Sequence, residues 1–155
     1  MEVTPLVLNL LKCICIAFTS LWNGQVMYAN IPEANALKEI NINEAIRFFP
    51  VYWPKAAKLI SPTSVTALLL DLAIWWLTGE ALWLVAAGFV VMNTLYTLLI
   101  VIPTVSVLLE ETAQKFDETK KKTLLNKFFA IGSPRLIFST VATILNIYAT
   151  AIVAK

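Results

Sequence analysis

The chain has 155 residues, 59% of them hydrophobic and only 14% charged, with a formal net charge of +2. A soluble domain is roughly 45–50% apolar and about 25% charged, so the composition excludes an ordinary soluble domain, and the small charge excludes a nucleic-acid partner. There is no histidine, and no metal site or cofactor is expected.

A helix that crosses a bilayer needs about 20 mostly apolar residues, and four runs qualify. The chain therefore reads as one all-α membrane domain, residues 1–155: a four-transmembrane-helix bundle with an amphipathic interfacial segment between helices 1 and 2. The first span covers about 5–28. The stretch before it lacks the basic n-region of a secretory signal peptide, so it is expected to be retained. Cys13 and Cys15 lie within this span in a C-x-C spacing, about 200° apart on a helix. They are expected to be two small core residues rather than a redox pair.

Residues 29–61 follow and contain "INEAIRFFPVYWPKAAKLI". The aromatics, together with Pro50 and Pro54, predict a broken amphipathic segment lying on the membrane surface. The second span covers about 62–79 and the third about 81–109, joined by a tight turn at Gly79-Glu80 into an antiparallel hairpin. Pro103 should kink or tilt the third span. Residues 110–130 carry Glu111–Lys115, Asp117–Lys121 and Glu118–Lys122 at i,i+4 with the acid first, the favourable order. The third helix is therefore expected to continue out of the bilayer. The fourth span covers about 132–154.

With four spans, both long connections share one side. They hold most of the lysines and arginines, including Lys38, Arg47, Lys55, Lys58, Lys115 and Lys120–Lys122. The positive-inside rule places that side in the cytoplasm or its equivalent, and both termini on the non-cytoplasmic side. Trp75, Trp76 and Trp83 read as one interfacial belt, and Tyr28, Tyr52 and Trp53 as the other.

Helical spacing gives every span one polar or small stripe: Asn9, Lys12, Thr19 and Asn23 on the first; Ser64, Ala67, Asp71 and Thr78 on the second; Asn93, Thr97 and Thr104 on the third; Arg135, Ser139, Asn146 and Thr150 on the fourth. The stripes predict a polar seam inside the bundle and lipid outside. Asp71 and Lys12 fall at similar depth. A buried carboxylate without a partner costs several kcal/mol, so a Lys12–Asp71 ion pair is expected. A second constellation, Asn23, Gln25, Thr104, Ser106 and Arg135, collects toward the connection side. Arg135 anchors it as a candidate site for an anionic or quinone-like ligand.

Several stretches in this order resemble the anthrone oxygenase-like family of small four-helix membrane proteins: "WNGQVMYANIPEA", "FFPVYWPKAAKL", "IVIPTVSVLLEE" and "LLNKFFAIGSPRLIFSTVATIL". The resemblance implies a four-helix scaffold and, in active members, oxidation of anthrones by O₂ without a cofactor. Pro103 and Arg135 match. Val105, Gly132 and Phe128 stand where the family pattern has asparagine, histidine and tryptophan, so no catalytic residue carries over.

Three functions compete. The favoured expectation is a non-catalytic accessory or structural subunit, with the lipid bilayer and other membrane protein subunits as partners. The alternative is a cofactor-free, oxygenase-like enzyme acting on a hydrophobic phenol or quinol such as an anthrone. The third is a small transporter or lipid-binding protein that works as an oligomer. A solid bundle interior would count against the enzyme. A pocket holding Arg135 beside another titratable group would favour it.

Overall fold

The computed structural model describes residues 4–153. Among them there is no strand, and four helical stretches are long and apolar enough to cross a membrane. The helices are α1 (Pro5–Asn30), α2 (Pro32–Glu39), α3 (Ile42–Thr78), α4 (Ala81–Tyr96), a π-helical turn (Thr97–Val101), α5 (Ile102–Leu109), a 3₁₀ turn (Glu111–Lys115) and α6 (Glu118–Val153). The expected sides of the two chain ends fall outside the described residues.

The first difference from expectation is α3. The predicted surface segment and the second span form one 37-residue helix with Pro50, Pro54 and Pro62 inside it. At 1.5 Å per residue it is about 55 Å long, against about 30 Å of hydrocarbon. Each proline removes a backbone donor, yet packing on both sides of α3 keeps its axis continuous. Its N-terminal half buries Ile46 and Phe49 against Val101, Val105 and Leu108. Asn41 caps it, its side chain accepting from the Asn43 amide at 2.8 Å.

The α3–α4 hairpin forms as expected. Gly79 adopts φ +72, and its amide closes α3 onto Trp75 O at 2.7 Å. In the third span the helix under-winds into a π turn at Thr97–Val101, immediately upstream of α5, which carries Pro103 in its first turn.

The third helix does not continue into the polar connection. It ends at Leu109, Glu110 is extended, and Phe116 is extended again before α6. Of the three expected i,i+4 pairs, only Glu118–Lys122 lies within one α-helix; Glu111 and Lys115 bound a 3₁₀ turn, whose three-residue period does not align i with i+4. The basic residues find other partners: Lys121 Nζ donates to Asn43 Oδ1 at 2.7 Å, and Lys120 Nζ lies 3.7 Å from the Phe116 ring centroid. Asp117 opens α6, its carboxylate accepting from the Lys120 amide at 3.1 Å.

The polar seam is internal. Thr19, Asp71, Ser139 and Asn146 are fully buried, whereas Asn9 is exposed. Asp71 does not form the expected ion pair. Its Oδ1 accepts from Cys15 Sγ at 3.0 Å and from Asn146 Nδ2 at 2.9 Å, and its enclosed Oδ2 has no hydrogen-bond partner. Lys12 sits one turn, about 4.5 Å, nearer the chain start than Cys15, so the thiol rather than the ammonium lies level with the carboxylate. Asn146 Nδ2 also donates to Thr19 Oγ1 at 3.0 Å, which ties α1, α3 and α6 together. Cys15 is thus a polar partner as well as a core residue, while Cys13 is exposed. The tryptophan belt divides: Trp76 is 80% exposed, but Trp83 is fully buried and donates to Glu80 at 3.2 Å.

Two stability predictions follow from these contacts. Asp71→Leu removes the acceptor of two buried donors, each worth about 1–3 kcal/mol when left unpaired, whereas Asp71→Asn keeps a carbonyl oxygen in place. Thermal unfolding in detergent should show a large loss for the leucine variant and a small one for asparagine; equal losses would refute this hydrogen-bond account. Gly79→Ala forces an L-residue into left-handed backbone at about 1–2 kcal/mol. Its unfolding midpoint should fall by about 2–8 °C, and an unchanged midpoint would show that the turn relaxes.

Candidate functional site

Core layers stack along the bundle. Cys15, Ile74, Trp83 and Ala149 fill the hairpin end; Trp22, Val26, Val90 and Ala142 fill the middle. Ala34, Leu37, Leu125 and Phe129 join the Phe49 cluster at the connection end. Between the middle layer and the connection end lies a chamber of about 210 Å³.

Its walls come from every long helix. The end of α1 and the start of α2 supply Asn30, Glu33 and Leu37. The middle of α3 supplies Tyr52, Trp53, Ser61 and Ser64; α4 and the π turn supply Asn93, Thr94, Thr97 and Leu98; α6 supplies Phe128, Phe129, Gly132 and Arg135. The π turn therefore shapes one wall, and the run of prolines in α3 flanks another. Gly132 allows α6 to approach α1: a Cβ there would collide with Asn30 Oδ1, an atom held in place while Asn30 Nδ2 donates to Val26 O at 2.8 Å.

One side of the chamber is aromatic. Phe128 meets Trp53 edge-to-face at 5.5 Å and Phe49 at 5.0 Å, and Trp53 stacks on Phe49 at 6.0 Å. Trp53 and Phe128 thus present aromatic surface to the chamber, with Phe49 packed against both. The other side is polar. The Tyr52 hydroxyl donates to Glu33 Oε2 at 2.5 Å, a short charge-assisted bond of the kind formed with a carboxylate.

The unsatisfied atoms are the most informative feature. Five enclosed side-chain polar atoms among the described residues have no hydrogen-bond partner, and three belong to this chamber's wall: Trp22 Nε1, Asn93 Oδ1 and Arg135 Nε. Native interiors pair nearly all such atoms, and each one left open costs about 1–3 kcal/mol. Trp22, Asn93 and Arg135 thus bring polar groups to a wall that is otherwise mainly apolar.

The sequence-predicted candidates separate. Arg135 is 8% exposed and lines the chamber. Asn23 does not line it: its Oδ1 accepts from Ser139 at 2.8 Å and Thr140 at 3.1 Å, fastening α1 to α6. Gln25 accepts from Thr63 at 2.8 Å and fastens α1 to α3. Thr104 is buried in α5 away from the chamber, and Ser106 is exposed with its hydroxyl on Pro103 O. Sequence reasoning missed Glu33 and the inward role of Tyr52 and Trp53, which were assigned to an interfacial belt. The signal was the spacing of Phe49, Tyr52 and Trp53, which puts three aromatic rings on one helix face.

The chain matches no family model, no curated protein and no solved structure.

Proposed function

We propose that this integral, multi-pass membrane protein binds the ring of a hydrophobic phenol or quinol in the chamber, with the ring oxygen held as an oxyanion against Arg135. The observation that carries the reading is that Arg135, Trp22 and Asn93, each with a buried polar atom lacking a partner, line one chamber together with Trp53 and Phe128. A cavity of about 150 Å³ takes one benzene, so about 210 Å³ suits one substituted ring or two fused rings. Guanidinium offers a planar, permanently charged donor set for the oxygen, and Trp53 and Phe128 offer the ring a flat face. A second oxygen on the ring, as in a quinol, meets Asn93.

The chamber also holds a route for a proton. A bound phenol lying against Tyr52 passes its proton to the tyrosine oxygen as Tyr52 passes its own to Glu33. The phenolate left behind is stabilised by Arg135, and the carboxylate–tyrosine pair substitutes for the histidine that the chain lacks. The anthrone oxygenase-like resemblance extends this reading to attack of O₂ on the electron-rich ring. The residues at the family's histidine and tryptophan positions, Gly132 and Phe128, are wall residues of this chamber, which supports the extension. An accessory subunit has no use for an enclosed, unsatisfied polar chamber, so ligand binding is favoured over the accessory role. The charge bias of the connections supports placing the chamber's end of the bundle at the cytoplasmic or equivalent face.

The test is equilibrium binding of 2-naphthol, by its own fluorescence, to the full chain in lipid nanodiscs. Saturable binding is expected. Arg135→Met removes a charged hydrogen bond worth about 1.5–3 kcal/mol and should weaken binding about ten- to a hundredfold. The methyl ether of naphthol, which cannot ionise, should bind wild type and variant alike. Absence of saturable binding, or an Arg135→Met variant that binds naphthol as wild type does, would overturn the reading.

A further inference from the structure

The chamber does not end at its own walls. A second hollow, about 610 Å³, runs along the outside of the bundle between α1 and α3. The two share five residues: Ala29, Glu33, Tyr52, Ala56 and Ile60. The two hollows therefore meet along one helix seam, where Glu33 and Tyr52 hydrogen-bond. The groove's floor beyond that seam is apolar and outward-facing, with Leu21 52% exposed and Leu59 60% exposed. Ser20, Gln25, Tyr28 and Lys55 complete the groove's lining.

Gly24 opens the groove. It lies on the exposed face of α1 within the groove, and a Cβ built there meets nothing within 4 Å. A side chain built at this position starts in open space on the groove side of α1. Close helix packing therefore does not require glycine here; the missing side chain leaves space that something else can fill.

We propose that the groove holds the hydrocarbon tail of the ligand whose ring occupies the chamber. The ligand is then a membrane-resident amphiphile, a phenol or quinol with a long alkyl or isoprenoid chain, taken laterally from the bilayer through the α1–α3 seam. This inference rests on the ring-binding reading above and names its substrate class. Three observations carry it. The chamber is large enough for a ring and too small for a ring with a chain. The larger hollow adjoins it through a common wall. That hollow is mainly apolar and open along the outside of the bundle, where a hydrocarbon chain can lie. The Glu33–Tyr52 bond sits at the junction of ring and tail, where a hydroxyl adjacent to the chain would reach it.

The test compares 2-naphthol with a naphthol carrying a decyl chain, both measured in nanodiscs with concentrations expressed as mole fraction in the bilayer, against wild type and Gly24→Leu. The leucine side chain fills the groove. The tailed naphthol should lose about tenfold or more in affinity, while naphthol itself should bind as before, which also shows that the variant is folded. A photoreactive diazirine midway along the decyl chain should label residues 20–25 and 55–60, and excess naphthol should suppress the labelling. Unchanged binding of the tailed compound to Gly24→Leu, or labelling elsewhere, overturns the tail assignment while leaving ring binding intact. Labelling of the groove that naphthol does not suppress identifies ordinary lipid as the occupant and also overturns it. If neither compound binds wild type, the ring-binding reading fails and this inference fails with it.

Discussion

A polar atom inside a bilayer has no water to fall back on, and the rest of this structure follows from that constraint. The chain carries few charges, yet it places carboxamides, hydroxyls, a carboxylate and a guanidinium within its helices. It handles them in two ways. Toward the hairpin end, Asp71, Cys15, Thr19 and Asn146 hydrogen-bond one another across three helices while Asp71 Oδ2 and Asn146 Oδ1 stay unpaired, and Ile74, Trp83 and Ala149 pack in the same layer as Cys15. Toward the connection end, Arg135, Trp22 and Asn93 surround an open volume and leave atoms unpaired. The first arrangement specifies which helix faces meet. Unpaired atoms cost free energy at both ends; beside the chamber, the proposed ligand would offset part of that cost.

Backbone irregularity falls in the same half of the bundle. Pro50, Pro54 and Pro62 interrupt the hydrogen-bond ladder of α3, and the π turn at Thr97–Val101 adds a residue to one turn of the third span. Regular helices pack ridges into grooves and close the space between them. A π bulge rotates the side chains that follow it and holds neighbouring ridges out of register; such bulges are frequent at functional sites. The hairpin end, with regular α3 and α4 and a glycine turn, packs solid. Fold rigidity and site geometry are therefore provided by different ends of the same four helices.

Much of this was legible in the sequence, and the limits are physical. Hydropathy places four spans because a run of 20 apolar residues has few alternatives. The Gly79 turn is legible because only glycine takes that φ cheaply. The polar stripes are legible because a 3.6-residue period leaves one face for each span. Partner choice within the seam was not: Lys12 and Cys15 lie on adjacent turns of one face, and an axial offset of about 4.5 Å decides between an ion pair and a thiol hydrogen bond. The α3 prolines signalled a break that tertiary packing overrode. The chamber itself was illegible for a different reason. Arg135 was visible, but a void is a property of what several helices fail to fill, and no local pattern encodes it. Tyr52 and Trp53 look the same in sequence whether they face headgroups or a cavity.

The placement of Arg135 argues for the chemistry of what it meets. A lone guanidinium deep in a helix bundle is costly, and natural membrane helices reduce the cost by snorkelling or by pairing with acid. Here the nearest acid on the chamber wall, Glu33, is already engaged by Tyr52 at 2.5 Å, and Arg135 is nine-tenths buried, so neither remedy is used in full. An anion that is itself at home in the membrane resolves the conflict, because its charge is spread over a ring and its body is apolar. Phenolates fit that description better than phosphates or free carboxylates do. The aromatic face formed by Trp53 and Phe128 selects for a delocalised ring over a compact anion. The α1–α3 groove lies beside this site and, on the proposed reading, would take the hydrocarbon chain of such an anion.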